Sequence, residues 1–175
     1  MMKITIEQIL SYGPCGSYNT AEKIIRRTGI GWPATPRCIW NCGINREHKL
    51  WALCQAEVLT VSDVAAMAEI VLPVFESLYP ADKRPRRAID AARSGSFTDA
   101  ADITNASAAC DVAVSDDAIP AYYAAKAAYY TARAAAAAAT AAAVDNCYSD
   151  AYVNSGMAEQ LYAVVIAAIE RSETR

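Results

Sequence analysis

Three cysteines and the single histidine of this 175-residue chain are ligand types that zinc uses. They form a Cys-x3-Cys-x5-His-x5-Cys pattern at Cys38, Cys42, His48 and Cys54. Zinc sites usually have a longer excursion after a close first pair. If His48 and Cys54 share a helix, six residues turn them roughly 240° apart. We therefore predict no metal and no cofactor, with two loop thiols, a surface imidazole and a core thiol here. A zinc-stabilised module is the alternative.

Nucleophilic catalysis needs a base beside the nucleophile, and His48 is the only histidine in the chain. A Ser-His or Cys-His pair would have to use it, and the sequence does not locate a third member. No glycine-rich phosphate loop or calcium loop occurs either. We therefore predict that the protein is not an enzyme and has no catalytic residues, with a small His/Cys enzyme as the alternative.

Charge is distributed unevenly along the chain. Residues 1–93 carry 12 basic and 9 acidic side chains, whereas residues 94–175 carry 4 basic and 10 acidic ones. No basic residue occurs between Arg93 and Lys126. Five aspartates fall in that interval, namely Asp99, Asp102, Asp111, Asp116 and Asp117. An acidic surface repels nucleic acid and attracts basic partners. These aspartates are the candidate partner-binding residues, and a solvated helical face is the simpler interpretation.

A basic cluster precedes this acidic interval. It comprises Lys83, Arg84, Arg86, Arg87 and Arg93. The cluster is short and lies close to Asp82 and Asp90. We therefore expect a self-paired, solvated helix, in which Arg84 pairs with Glu76 or Glu57, and no direct binding of nucleic acid.

Composition favours an all-α fold, because the chain has 38 alanines but only 7 glycines and 2 phenylalanines. We predict a single-domain helical bundle of seven or eight helices over residues 1–175. Its N-terminal helices and Trp/Pro/Gly loop (1–45) pack on a helical core (46–171). An alanine-rich helix from Pro120 to about Cys147 is central, since small side chains let backbones approach closely. The same property allows a homo-oligomer.

Helix boundaries are predicted from capping residues. Thr5 with Gln8 caps the first helix, and a second runs from Asn19 or Thr20 to about Gly29. A loop covers residues 29–43. Thr60 caps a helix from Val61 to about Tyr79, with a kink expected at Pro73. Three further helices are predicted over 86–93, 98–114 and from Ser149 or Asp150 onward, the first with Pro85 in its first turn.

The cellular setting is expected to be cytoplasmic. An acidic residue, Glu7, interrupts the N-terminus before a signal-peptide run develops. The longest apolar stretch, 134–144, falls short of the ~20 residues that span a bilayer. The six cysteines are therefore predicted to be reduced thiols, and no membrane association is expected.

Three short segments resemble a family of helical immunity proteins of bacterial polymorphic-toxin systems, with related phage and prophage proteins. They read Trp-Ala-Leu at 51–53, Leu-Pro-Val-Phe-Glu at 72–76 and Asp-Lys-Arg-Pro-Arg-Arg-Ala-Ile at 82–89. The resemblance covers roughly residues 49–93, and 118–143 by composition only. It implies a helical protein that binds and silences another protein, a toxin or a host defence component, and it transfers no catalytic residue.

The sequence therefore predicts a non-enzymatic, protein-binding inhibitor, either an immunity-like neutraliser or its phage-encoded counterpart, that occludes its partner. A competing hypothesis is a phage anti-CRISPR or anti-defence protein whose acidic face blocks a nucleic-acid-binding site. A His48-based enzyme and a zinc-stabilised module also compete with the inhibitor.

Overall fold

The described part of the chain is all-α, as predicted. The structure, a computed structural model, describes residues 1–94, 109, 127, 128 and 155–174. Within these residues it contains seven helices and no strand. They are α1 (Ile6–Ser11), α2 (Ala21–Thr28), α3 (Pro36–Asn41), α4 (Arg46–Gln55), α5 (Val61–Leu78), α6 (Arg84–Ser94) and α7 (Ser155–Glu173). Ile4 and Ala34 form an isolated antiparallel bridge.

Two compact units make up the chain. Unit 1 comprises Met1–Leu59 with Ile166–Arg175, and unit 2 comprises Thr60–Val165. In unit 1, α1 packs on α2 and α3 packs on α4. In unit 2, α5 packs on α6. The single domain predicted from the sequence stays a prediction.

The predicted caps of the first two helices are confirmed. Thr5 and Gln8 form a reciprocal capping box at the start of α1. The Thr20 side chain accepts the Lys23 backbone N–H at the start of α2. Gly29 ends α2 in the left-handed region at φ 64°, where a side chain would be strained.

A third helix replaces part of the loop predicted for residues 29–43. Thr35 is its N-cap and accepts the Cys38 backbone N–H, while Pro36 occupies the first turn. A capping residue followed by proline is a strong helix start, since proline lacks only an N–H that would be unbonded there. The glycines and prolines of residues 29–43 favour a loop, but the Thr35-Pro36 pair starts a helix among them.

The long helix α5 begins as predicted and continues through Pro73. The Thr60 hydroxyl accepts the Asp63 backbone N–H, and the Asp63 carboxylate accepts the Thr60 N–H at 2.9 Å. Helix α5 packs on α6, in which Pro85 and Ala88 are buried. Helix α6 begins at Arg84, two residues earlier than predicted. The kink at Pro73 stays a prediction.

The helices predicted over 98–114 and 120–147 lie outside the described residues except at three alanines. Ala109, Ala127 and Ala128 are helical and fully buried. On the last helix, Leu161, Val165, Ala168 and Ile169 are buried, whereas Val164 is half-buried. This spacing is that of the packing face of a helix.

Candidate functional site

The most specific chemical arrangement in unit 1 starts in the loop between α1 and α2, which carries Cys15. Its ends are held by backbone and side-chain hydrogen bonds. The Tyr18 N–H donates to the Cys15 carbonyl at 2.8 Å. Lys23 Nζ donates to the Gly16 carbonyl at 2.9 Å and to Asn19 Oδ1 at 2.8 Å. Cys15 is solvent-exposed. The hydrogen bonds on either side of it hold the backbone of its loop in place.

The N-terminus of α4 positions the only imidazole of the chain. Asn45 is the N-cap, and its Oδ1 accepts the His48 backbone N–H at 3.1 Å. The same oxygen also contacts His48 Nδ1. The helix fixes the amide orientation, because the –NH2 group could not accept the backbone N–H. Nδ1 must then carry a hydrogen, since an acceptor faces it.

The other ring nitrogen faces a thiol. Cys15 Sγ lies 3.6 Å from His48 Nε2, within hydrogen-bond distance for sulfur. With Nδ1 protonated toward Asn45, the Nε2 lone pair of a neutral imidazole points to the thiol. Cys15, His48 and Asn45 thus have the relative placement of a nucleophile, a base and a group that orients the base.

An aromatic ring supports this arrangement. The Tyr18 ring lies 4.6 Å from the His48 ring, tilted by 45°. The Arg27 guanidinium carbon lies 5.4 Å from the centre of the same Tyr18 ring, in cation–π geometry. Cys15, Tyr18, His48 and Arg27 are therefore linked by direct contacts.

The structure does not bring the zinc candidates together, and no group of three or more His, Cys, Asp or Glu among the described residues could hold a metal. His48 is a half-buried surface imidazole and Cys54 is a core thiol, as predicted. The two predicted loop thiols are corrected. Cys38 lies on α3 and Cys42 caps its end, because Thr35-Pro36 starts a helix there. Cys42 is buried and its thiol donates to the Ile39 carbonyl at 3.0 Å.

Sequence reasoning missed Cys15, Asn45 and Tyr18. Asn45 could have been found, because asparagine three residues before His48 is the N-cap spacing. The contact of Cys15 with His48 joins positions 33 residues apart. It depends on how the helices pack, so the spacing of residues within one segment does not predict it.

The acidic candidates Asp99, Asp102, Asp111, Asp116 and Asp117 lie outside the described residues. The basic cluster before them is described. Glu76 accepts two hydrogen bonds from Arg86, both at 2.7 Å, and lies 3.9 Å from Lys83 Nζ. Arg93 pairs with Glu69. These basic residues are paired with carboxylates of α5, so the pairing predicted within one helix is corrected to pairing between two helices.

The partner expected for Arg84 is corrected. Arg84 Nε donates to both carboxylate oxygens of Asp82, at 2.9 and 3.0 Å, while Glu76 is engaged by Arg86. Asp82 also accepts the Arg84 backbone N–H at 3.0 Å. Only Lys83 separates the two residues, so the contact is local. It forms at the start of α6, where Asp82 accepts an N–H that the helix leaves free.

Both acidic partners have shifted acidities. The hydrogen bonds from Arg86 lower the pKa of Glu76 from its ordinary value of 4.5, although partial burial opposes this. The Arg84 side chain lowers the pKa of Asp82 from its ordinary value of 3.8 in the same way. Both carboxylates are therefore more firmly ionised in the folded chain than in the unfolded one.

Acid is expected to weaken the fold through these two carboxylates. A lowered folded-state pKa contributes stability above the unfolded-state value, and this is lost as the pH falls through the folded-state value. The relevant window thus opens at about pH 4.5 and extends downward. Urea unfolding across that window is expected to show a shallower loss of stability for Glu76→Gln/Asp82→Asn than for wild type. Glu22→Gln, an exposed change on α2, is the control, and an unchanged slope in the double variant would contradict this expectation.

Comparison with protein-family models, curated proteins and solved structures gives no significant match to this chain. In the described part of the chain, no helix has both the length and the apolarity needed to cross a bilayer.

Proposed function

We propose that this protein is a non-enzymatic inhibitor that binds and occludes another protein, as an immunity-like neutraliser or its phage-encoded counterpart. The observation that carries this proposal is the charge distribution. Five aspartates without any intervening basic residue follow α6, between Arg93 and Lys126. Such a segment is suited to a basic surface on a partner, because opposite charges speed encounter and disfavour wrong partners.

The pairing of the basic cluster supports this proposal. Arg86 and Lys83 lie on Glu76, Arg93 on Glu69 and Arg84 on Asp82. These cations, the nearest in sequence before the aspartates, are thus already engaged by carboxylates of their own part of unit 2. Cations paired in this way form a poor surface for nucleic acid, which agrees with a protein as the partner.

The family-like motif supports the same interpretation. Pro85, Ala88 and Ile89 are buried in the packing of α6, and Asp82 bonds to the start of that helix. The motif is therefore accounted for by architecture, without a ligand. Recognition of a partner then falls to surfaces outside the motif, which agrees with a binding protein.

Charge reversal tests this function. The probe is the product of the gene beside this protein's own gene, assayed for its activity with increasing amounts of this protein. Asp111→Lys/Asp116→Lys/Asp117→Lys is expected to raise the concentration needed for half-inhibition about ten-fold or more at low salt, since juxtaposed like charges cost several kcal/mol.

The matched control reverses three exposed acidic residues elsewhere, Glu22→Lys/Asp90→Lys/Glu159→Lys, and is expected to change inhibition by less than about two-fold because rim and distant charges contribute little. Equal inhibition by wild type and the first variant would contradict an acidic docking surface. If the partner binds nucleic acid, displacement of that nucleic acid by this protein distinguishes the anti-CRISPR-like hypothesis from simple occlusion.

One observation favours the second candidate, a small His/Cys enzyme. Cys15, His48 and Asn45 have the relative placement of a nucleophile, its base and an orienting group. His48→Ala distinguishes the two functions, because an inhibitor retains its inhibition in this variant, whereas a His48-dependent enzyme loses its activity.

A further inference from the structure

The four described cysteines differ sharply in their surroundings. Cys42 and Cys54 are buried, and Cys15 and Cys38 are exposed. The only imidazole of the chain lies against Cys15, with Nε2 3.6 Å from its sulfur. Cys38, on the first turn of α3, is an exposed thiol on the same protein and provides an internal reference.

We propose that Cys15 is a base-assisted thiol that exchanges with small anionic disulfides to form a mixed disulfide. This modification site goes beyond the inhibitory function and does not depend on it. Three features support it, namely the exposed sulfur, the oriented imidazole and the cations around the loop.

The imidazole is held ready to accept a proton. Asn45 Oδ1 is anchored by the His48 backbone N–H and also faces Nδ1, so the hydrogen of a neutral ring lies on Nδ1. Nε2 is left as the acceptor for the Cys15 S–H. The Tyr18 ring packs on the imidazole at 4.6 Å and limits its rotation. This orientation is what general-base assistance requires.

The surroundings of the thiol favour an anionic disulfide. Lys23 Nζ donates to the carbonyl of Gly16, the residue after Cys15, at 2.9 Å. Arg27 lies over Tyr18, which contacts the imidazole. Cations beside the loop attract negatively charged reagents. The carboxylates of a glutathione-like disulfide match these charges.

The exchange step balances without another oxidant. The Cys15 thiol transfers its proton to His48 Nε2, and the thiolate attacks one sulfur of the disulfide R–S–S–R. The old S–S bond breaks as the Cys15–S–S–R bond forms. The departing R–S⁻ takes the proton from the imidazolium and leaves as R–SH. Cys15 is oxidised, and one half of the disulfide is reduced to a thiol.

The test measures the rate of glutathione attachment at each cysteine of the full chain, using glutathione disulfide, mass spectrometry and peptide mapping. Cys15 is expected to react at least about ten-fold faster than Cys38, because base assistance is typically worth two or more orders of magnitude. His48→Gln is expected to bring the Cys15 rate down to within about two-fold of the Cys38 rate while the Cys38 rate stays unchanged. A Cys15 rate no faster than that of Cys38, or unaffected by His48→Gln, would overturn the proposal.

Two changes at Asn45 separate the helix cap from the orientation of the imidazole. Asn45→Asp keeps both a capping oxygen and an acceptor for Nδ1, so the Cys15 rate is expected to be retained. Asn45→Ser caps the helix with a shorter side chain, and the Cys15 rate is expected to fall. If the serine variant folds and reacts like wild type, Asn45 is only a cap and the proposed orientation is wrong. The rate at Cys38 and the thermal melting curve report folding in each variant.

The charge preference is tested with three disulfides, anionic glutathione disulfide, neutral hydroxyethyl disulfide and dicationic cystamine. Each rate at Cys15 is divided by the rate at Cys38 for the same reagent. The ratio is expected to be largest for glutathione disulfide and smallest for cystamine. The reverse order would overturn the preference for anions.

Discussion

Replacing Phe75 by alanine is expected to lower the free energy of unfolding by about 3–5 kcal/mol. Phe75 is fully buried on the face of α5 that packs in unit 2. Its ring lies 4.9 Å from the Tyr79 ring, and its carbonyl accepts the Tyr79 N–H that ends the helix. Truncation removes this contact and leaves a cavity. The cost is the sum of the lost transfer free energy of the ring and the free energy of the cavity. Urea unfolding gives the free energy from the midpoint and slope.

Two controls accompany Phe75→Ala. Phe75→Leu keeps most of the apolar volume and is expected to cost less than alanine does. Ser77→Ala, on the exposed side of the same helix, is expected to change stability by no more than about 0.5 kcal/mol. A loss below about 1 kcal/mol for Phe75→Ala would contradict the packing described for α5.

Replacing Leu53 by alanine is expected to cost about 2–5 kcal/mol, the usual range for a buried leucine. Leu53 is fully buried in unit 1, on α4. Its carbonyl accepts the Val58 N–H at 2.9 Å where the chain leaves the helix. The side chain is therefore buried beside the point where the backbone leaves the helix, and its truncation leaves a cavity there. Thermal and urea unfolding measure the loss.

The control for Leu53 is a change of shape at similar volume. Leu53→Met is expected to cost less than about 1.5 kcal/mol, since methionine adapts to irregular space. Equal losses for methionine and alanine would indicate that shape, and not the cavity, limits this site. A negligible loss for both would contradict the burial of Leu53.

Sequence reasoning predicted the features of the fold that depend on neighbouring residues. The caps at Thr5, Thr20 and Thr60 were legible because a capping side chain and the N–H that it accepts lie three residues apart. Proline and glycine misled the prediction for residues 29–43, where Thr35 and Pro36 begin a helix. The capping threonine followed by proline is a local helix-start signal there, but more of the neighbouring residues are loop-forming types.

The candidate sites were less predictable for a physical reason. The contact of Cys15 with His48 requires two segments 33 residues apart to be packed together, and spacing within a segment cannot reveal it. The pairing of Arg86 with Glu76 spans 10 residues across the α5–α6 turn. Arg84 instead pairs with Asp82, because a partner two residues away is reached at less conformational cost than a distant one. The partner-binding aspartates are candidates on charge alone, and their assignment stays a prediction.

The most direct measurement of the central claim is the salt dependence of binding. The affinity of this protein for the product of the neighbouring gene is measured by calorimetric titration from roughly 50 to 500 mM salt, across which charge–charge attraction is strongly screened. We predict that the wild-type Kd rises steeply with salt and that Asp111→Lys/Asp116→Lys/Asp117→Lys binds weakly with little salt dependence. A wild-type Kd independent of salt and matched by that variant would contradict docking through the acidic segment.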